Sequence, residues 1–252
     1  MAWTVEHAGT VAVLRFTRPP ENLMSFELLA ELDALLQAVG EDRGVHAVLL
    51  ASGLPGYFVG HADLDDVQGL VDGTLGAGTP DWWLATLERL GAIDPPVIAA
   101  VDGQAWGGGC ELALACQMRV ASSSAHFAFV EVGAGAIPGA GGTQRLPRLV
   151  GPAAAAQMVL SGQVVHADEA LRIGLVNAVL TGEDFLAAAL DWVRPIAEQP
   201  RHTLVAAKRA LLDGLRMPLA EGLAYEQRIF RSVLRSPQSQ AMFASGQGAD
   251  GA

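Results

Sequence analysis

Lysine is almost absent from this sequence. Lys208 is the only one, and 27 acidic residues outnumber 16 basic ones, which gives a formal net charge of −11 over 252 residues. Such a charge repels nucleic acid and anionic membranes, so we expect neither as a partner. A small anionic ligand is not excluded, because a few arginines and backbone N–H groups can bind phosphates locally.

Cysteine is also scarce, since Cys110 and Cys116 are the only two and lie in one apolar stretch. This favours small buried side chains in a reducing compartment. A nucleophilic Cys110 is the alternative, although no histidine is close to it in sequence. Residues 1–16 lack the basic start and apolar run of a secretory signal, and no apolar run reaches membrane-spanning length. We therefore expect a cytoplasmic protein without a membrane partner.

Several cofactor and catalytic motifs are missing. There is neither a Gly-x-Ser-x-Gly turn nor a phosphate-binding loop ending in Gly-Lys-Ser/Thr, which argues against those hydrolases and nucleotidases. The glycine-dense segment 133–142 lacks Gly-x-Gly-x-x-Gly spacing, so dinucleotide binding is not expected. The histidines lack ligand spacing, and Asp63, Asp65 and Asp66 favour a capped helix start over a metal site. We predict no metal and no separate cofactor.

Strand patterns dominate the first two-thirds of the chain and helical patterns the last third. Apolar runs predict strands at 3–7, 11–16, 46–50, 97–101, 117–121 and 126–129. Helical periodicity predicts helices at about 25–39, 81–90 and 108–116, and five more between 153 and 234. The segment 68–80, rich in glycine, threonine and aspartate, predicts a loop. The fold class is therefore predicted to be α/β with a helical C-terminal part.

Two glutamates lie where a carboxylate is unexpected. Glu111 ends the glycine-rich run 107–111, and Glu131 lies among Phe129, Val130 and Val132. A carboxyl group among apolar neighbours must be neutral, paired or hydrogen-bonded. The dipole of its helix should keep Glu111 ionised, whereas desolvation should raise the pKa of Glu131. Two acids tuned differently are suited to acid–base catalysis near neutral pH.

Two long motifs surround these acids and are in the same order as in a known family. They are the run 95–111, PPVIAAVDGQAWGGGCE, and the run 137–146, IPGAGGTQRL. Both resemble the enoyl-CoA hydratase/isomerase (crotonase) superfamily, and the resemblance covers nearly the whole chain until about Ser236. It implies a spiral of repeated ββα units over 1–195 with an acyl-CoA site. It also implies a helical oligomerisation region over 196–252, and we expect 245–252 to be disordered.

The resemblance also implies roles for individual residues. The backbone N–H groups of Ala62 and Gly108 would form an oxyanion hole for a thioester, of which coenzyme A is a part. Glu111 would orient or deprotonate water, and Glu131 would deliver a proton to the α carbon. Walls of the acyl pocket are expected from 67–83, Trp106 and Ile137. The remaining implied substrate- and CoA-binding residues are Asn22, Leu23, Met24, Gly60, His61, Asp63, Leu64, Trp106, Gly107, Pro138 and Gly139.

Two departures from the family pattern bear on binding. His61 stands where relatives carry glycine, and we interpret it as a loop residue facing away rather than a substrate contact. The C-terminal segment 245–252 lacks the basic residues that help relatives hold CoA phosphates. Arg15 or Arg18 is a candidate replacement.

Because both acids are retained, the sequence favours a hydratase that converts a trans-2-enoyl-CoA to a 3-hydroxyacyl-CoA. A Δ3,Δ2-enoyl-CoA isomerase, which needs chiefly one base, is the second reading, and an acyl-CoA hydrolase or decarboxylase is the third. The non-enzyme alternatives are an RNA-binding protein and a structural subunit. A purely structural reading of the two acids is also open, in which Glu111 only caps its helix and Glu131 pairs with an arginine such as Arg145. The resemblance implies a homotrimer or homohexamer.

Overall fold

A computed structural model describes residues 2–75 and 82–245, and within them ten strands form two sheets. The strands are β1 (Trp3–Ala8), β2 (Val11–Phe16), β3 (Ala47–Ser52), β4 (Tyr57–Val59), β5 (Val97–Val101), β6 (Gln104–Trp106), β7 (Met118–Ser122), β8 (His126–Ala128), β9 (Val165–His166) and β10 (Ala178–Leu180). The larger sheet has the order β1-β2-β3-β5-β7-β10, and the smaller has the order β4-β6-β8-β9.

Eleven helices cover these sheets in the same described ranges. They are α1 (Phe26–Glu41), α2 (Leu64–Val71), α3 (Trp82–Ala92), α4 (Gly108–Ala115), α5 (Gly142–Val150), α6 (Pro152–Ser161), α7 (Ala167–Arg172), α8 (Phe185–Ala197), α9 (Arg201–Gly214), α10 (Leu219–Leu234) and α11 (Pro237–Ala244). A 3₁₀ turn follows β8 at Glu131–Ala134. Among these helices, none has the length and apolarity needed to cross a bilayer.

From β3 to β8, consecutive strands alternate between the two sheets, and this alternation builds the repeating unit. In β3–β4, β5–β6 and β7–β8, the first strand joins the larger sheet, the second joins the smaller, and helical structure follows. Pairing between β2, β3, β5, β7 and β10 is parallel, as it is between β4, β6 and β8. Only the β1–β2 hairpin and the β8–β9 pair of the described strands are antiparallel. The predicted α/β spiral of ββα units is confirmed.

Two apolar clusters stabilise this arrangement. The main cluster lies between the sheets and helices α1, α3 and α4. The second covers the opposite face of the larger sheet, where Ala189, Val193 and Ala197 of α8 pack against its strands. Because the larger sheet is covered on both faces, central strands such as β5 are entirely apolar and buried, as is typical of parallel sheets.

Most predicted elements lie within a few residues of the observed ones, but one prediction is wrong. The expected loop 68–80 begins inside α2, because the Asp63 side chain caps that helix by accepting a hydrogen bond from the Asp65 N–H group. Strands β4 and β6, with three residues each, are too short to show a period. Residues 76–80 of the predicted loop and 246–252 of the predicted disordered tail lie outside the described residues.

The only lysine is a structural residue inside the fold. Lys208 of α9 is buried, and its Nζ donates hydrogen bonds to the Ile93 and Pro95 carbonyl oxygens at 2.6 and 3.1 Å. Burial lowers the pKa of Lys208 to about 8. These bonds join α9 to the turn between α3 and β5. A boundary between two domains near residue 196 stays a prediction.

Asn22 joins the ends of several strands close to the 59–62 loop. Its side chain is fully buried, and its backbone has a φ of 54°, which is unusual outside glycine. The Oδ1 atom accepts a hydrogen bond from the Arg18 N–H group at 2.7 Å. The Nδ2 atom donates to three oxygens on β2, β3 and β4, namely Phe16 O, Ser52 Oγ and Phe58 O. Asn22 is therefore a structural connection between these strands.

Replacing Asn22 should destabilise the protein, and two different replacements separate the contribution of its side-chain hydrogen bonds from that of its backbone conformation. Asn22→Ala should lower the free energy of unfolding by about 3 kcal/mol, because it leaves buried oxygens without donors and because alanine tolerates a positive φ less well than asparagine. Asn22→Gly loses the same hydrogen bonds but tolerates the φ, so its loss should be smaller. Urea unfolding at fixed protein concentration measures both. Equal midpoints for Asn22→Ala and the wild type would contradict this role.

Candidate active site

The first turn of α4 holds Glu111 at a buried position. Gly107, at a φ of 48°, redirects the chain from β6 into the helix, and its N–H donates to the Ala128 oxygen of β8. Glu111 is only 3% exposed. Its Oε1 accepts hydrogen bonds from the Ala140 and Gly142 N–H groups, both at 2.8 Å. Since these donors lie outside α4, Glu111 bonds to the facing loop and does not cap its own helix.

The pKa of Glu111 moves opposite to the expected direction. Burial raises this pKa, while the amides of Gly142 and Ala140 and the charge of Arg145 oppose the shift. The sequence-based expectation considered only the helix dipole and missed that the whole first turn is desolvated, which gives the shift of this pKa its upward direction. The two amides still provide Glu111 with stabilisation for a negative charge.

Glu131 begins the 3₁₀ turn after β8 and faces the same helix turn. A Cβ atom on Gly107 would lie 3.1 Å from the Glu131 Oε1 atom, so the carboxyl group lies against this glycine. Its Oε2 atom is buried and has no hydrogen-bond partner among the described residues. Burial, together with a smaller contribution from the charge of Glu111, raises the pKa of Glu131 to about 7. The predicted upward shift is confirmed.

The two acids are electrostatically coupled across the start of α4. Glu131 contacts Gly107, and the Glu111 N–H donates to the Gly107 oxygen at 3.0 Å. Glu131 belongs to none of the ion pairs found among the described residues, so the alternative in which it pairs with Arg145 is not supported. Arg145 instead donates to the Ala140 oxygen at 2.6 Å and supports the loop that binds Glu111.

Two backbone amides beside these acids are left without acceptors. The N–H groups of Ala62 and Gly108 donate to no acceptor in the described part of the chain. The 59–62 loop lies next to α4, because the Trp106 N–H donates to the Gly60 oxygen. A Cβ on Gly109 would overlap the Val59 oxygen at 2.0 Å. The glycine thus permits the close approach that brings the loop beside the helix N-terminus.

The loop after Ala62 is held by polar contacts of its own. His61 Nδ1 lies 2.7 Å from the Ala62 carbonyl oxygen, so the ring folds onto the backbone of the next residue. Asp63 accepts a hydrogen bond from Arg18 Nη1 at 2.6 Å. Burial opposes the shift, but the bonds from Arg18 and the Asp65 amide lower the pKa of Asp63. The aspartates thus form a capped helix start. Within residues 2–75 and 82–245, no group of three His, Cys, Asp or Glu side chains is placed to hold a metal.

The other predicted binding residues are spread around this centre. Gly107 and the buried Pro138 adjoin the acids, and Gly139 is exposed beside them. Trp106 donates its indole N–H to His126 Nδ1 at 3.0 Å. Met24 is fully buried, like Asn22, whereas Leu23 is partly exposed and Leu64 is 63% exposed. Ligand contact by any of these residues stays a prediction.

Sequence reasoning missed the partners of Glu111. Ala140 and Gly142 donate to it through backbone amides, which carry no side-chain signature, and only the glycine density of 139–142 indicated a close approach. Cys110 and Cys116 are free and buried, as predicted. Burial raises the pKa of both thiols, which disfavours a nucleophilic Cys110.

Comparison with known proteins gives one consistent family. A family model described as enoyl-CoA hydratase/isomerase matches residues 6–248. A probable enoyl-CoA hydratase of Rhizobium meliloti (strain 1021) is 40% identical over 232 residues, covering 91% of this chain and 88% of that protein. A short-chain-enoyl-CoA hydratase of Clostridium acetobutylicum is 37% identical over 233 residues, with coverages of 90% and 87%. The solved structure of an enoyl-CoA hydratase from Bacillus anthracis superposes with a TM-score of 0.89 at 30% identity, over 98% of this chain and 97% of that one.

The coupling of the two acids predicts a pH titration that a variant can alter. In the wild type, Glu131 should titrate near pH 7. Because this pKa is raised above 4.5 in the folded state, the protonated acid stabilises the fold at low pH, and this contribution is lost as the pH rises through about 7. Glu111→Gln removes the neighbouring charge, so the apparent pKa of Glu131 should fall while staying above 4.5 because burial remains. NMR of ¹³C-carboxyl-labelled glutamate measures both, with Glu131→Gln assigning the signal. An unchanged pKa in Glu111→Gln would show that the acids are not coupled.

Proposed function

The chain belongs to the enoyl-CoA hydratase/isomerase family, and we propose that it adds water across the double bond of a trans-2-enoyl-CoA to give a 3-hydroxyacyl-CoA. One observation carries the proposal: the buried carboxyl group of Glu111 and the half-buried one of Glu131 flank a helix turn beside two unpaired backbone amides. Water addition to a thioester-conjugated double bond needs a base, an acid and donors for the thioester oxygen. The site offers one group for each task.

In the proposed reaction, the thioester oxygen accepts hydrogen bonds from the Ala62 and Gly108 N–H groups. Glu111, whose charge is supported by two amides, removes a proton from water as the water oxygen bonds to the β carbon. The electron pair of the double bond moves toward the thioester, and the amides stabilise the resulting oxygen charge. Glu131, whose raised pKa leaves it protonated near neutral pH, delivers its proton to the α carbon.

The retention of both acids in one site favours hydration over its alternatives. A Δ3,Δ2-isomerase moves a proton between two carbons and needs chiefly one base, for which Glu131 alone would suffice. It would leave the two hydrogen bonds that hold Glu111 without a chemical use. Acyl-CoA hydrolases and decarboxylases remain alternatives on the same scaffold. An RNA-binding role is disfavoured by the net charge of −11.

We further propose that the chain assembles as a homotrimer or homohexamer. Large apolar side chains remain exposed along the last helices, at Leu211, Leu215, Leu219, Leu223, Phe230 and Phe243. A row of this size on one region is typical of a surface covered by a partner.

Arg18 is the better supported of the two arginines proposed to bind CoA phosphates. Its Nη1 donates a hydrogen bond to the Leu23 carbonyl oxygen, and its side chain remains partly exposed.

Isosteric replacement of each acid tests the proposed chemistry. Glu111→Gln and Glu131→Gln should each lower kcat for hydration of trans-2-butenoyl-CoA by roughly 10²- to 10⁴-fold, since each removes a proton-transfer group. Glu169→Gln, which changes an exposed glutamate bonded to Arg172, is the matched control and should keep full activity. Loss of the conjugated absorbance measures the rate.

Two results would contradict the hydratase assignment. If Glu111→Gln keeps wild-type activity on a 3-enoyl-CoA while the wild type hydrates no 2-enoyl-CoA, the isomerase reading is correct. If the wild type binds CoA esters tightly but turns over none, the protein is not an enzyme of this type.

A further inference from the structure

The indole ring of Trp83 lies against the proposed oxyanion donor. A Cβ atom built on Gly108 would be 2.5 Å from Cη2 and 2.8 Å from Cζ2 of Trp83. Real Cβ atoms are not found at such distances, so the ring occupies the space that a side chain at 108 would take. The six-membered edge of the indole therefore borders the place where a thioester carbonyl would meet the Gly108 N–H group.

Trp83 is carried by a helix that is firmly attached to the rest of the molecule. In α3, Leu87 and Leu90 are fully buried in the main cluster, and the Thr86 hydroxyl donates to the Leu29 oxygen of α1 at 3.2 Å. Arg89 of the same helix pairs with Asp33. Trp83 itself is partly buried and packs against the main cluster. Moving the helix away from Gly108 would therefore disturb several contacts at once, and rotating the ring would remove its packing against the main cluster.

We propose that Trp83 limits the length of the acyl chain that the site accepts, so that short trans-2-enoyl-CoA esters are preferred. This inference rests on the proposed function. With the thioester oxygen held by Gly108, the acyl group starts beside the indole. A short chain can pack on the ring, whereas added methylene groups must displace it or lose their apolar contact. The tryptophan would thus act as the end wall of the acyl pocket.

Substitution at this position should change the preference for chain length more than the activity on short esters. We compare kcat/KM for trans-2-enoyl-CoA esters of four, six, eight and ten carbons. Trp83→Ala should raise the ratio of the eight-carbon to the four-carbon value by about fourfold per methylene accommodated, or roughly 250-fold if all four added methylene groups fit. Trp83→Phe should give an intermediate ratio. Trp192→Ala, at a partly buried tryptophan of the second cluster, is the control and should keep the wild-type ratio.

The possible outcomes separate this inference from the proposed function. If Trp83→Ala lowers kcat/KM for all esters by one common factor, or if the wild type accepts all lengths equally, the ring is only structural and the inference is overturned. If Trp83→Ala does not fold, Trp83→Phe and Trp83→Leu decide the question by the same ratio. If the wild type turns over no enoyl-CoA, the proposed function fails. Calorimetric Kd values for saturated butyryl-CoA and octanoyl-CoA then test the inference, because Trp83→Ala should strengthen the binding of octanoyl-CoA relative to butyryl-CoA by a similar factor.

Discussion

The hydrogen bonds from the Ala140 and Gly142 amides to Glu111 are the interaction on which the site depends. A carboxyl group that is 3% exposed would be costly without donors. These two amides fix its orientation and join the helix that carries it to the following loop. Arg145 holds the same loop from the other side through the Ala140 carbonyl. A single acid thereby connects two segments that are distant in sequence.

Glycines make this close arrangement possible. At Gly142, a Cβ atom would lie 2.6 Å from the Phe129 ring and 3.1 Å from the Glu111 Oε1 atom. At Gly107, the positive φ turns the chain into the helix, and Glu131 occupies the space beside it. Backbone amides can then face the site directly, without side chains between them and a ligand. Because they are fixed before any substrate binds, little reorganisation is needed when charge develops.

Much of this architecture could be predicted from sequence, and the failures have physical causes. Glu111 and Glu131 were identifiable because acids in glycine-rich or apolar surroundings need an explanation, and the motifs around them are long. The pKa of Glu111 was not predictable, since it depends on tertiary burial that outweighs the helix dipole. The contact of Trp83 with Gly108 could not be derived either, because packing between two helices leaves no local pattern. Asn22 shows the same limitation, as its partners come from three strands.

The arrangement of the two acids and the two amides around one thioester can be observed in a crystal structure with a non-reactive saturated ester, butyryl-CoA. We predict that the thioester oxygen lies within hydrogen-bonding distance of both the Ala62 and Gly108 nitrogen atoms. We also predict that the carboxyl group of Glu111 lies near the β carbon and that of Glu131 near the α carbon. A thioester oxygen bound elsewhere, or an acyl group reached by only one of the two acids, would contradict the proposed site.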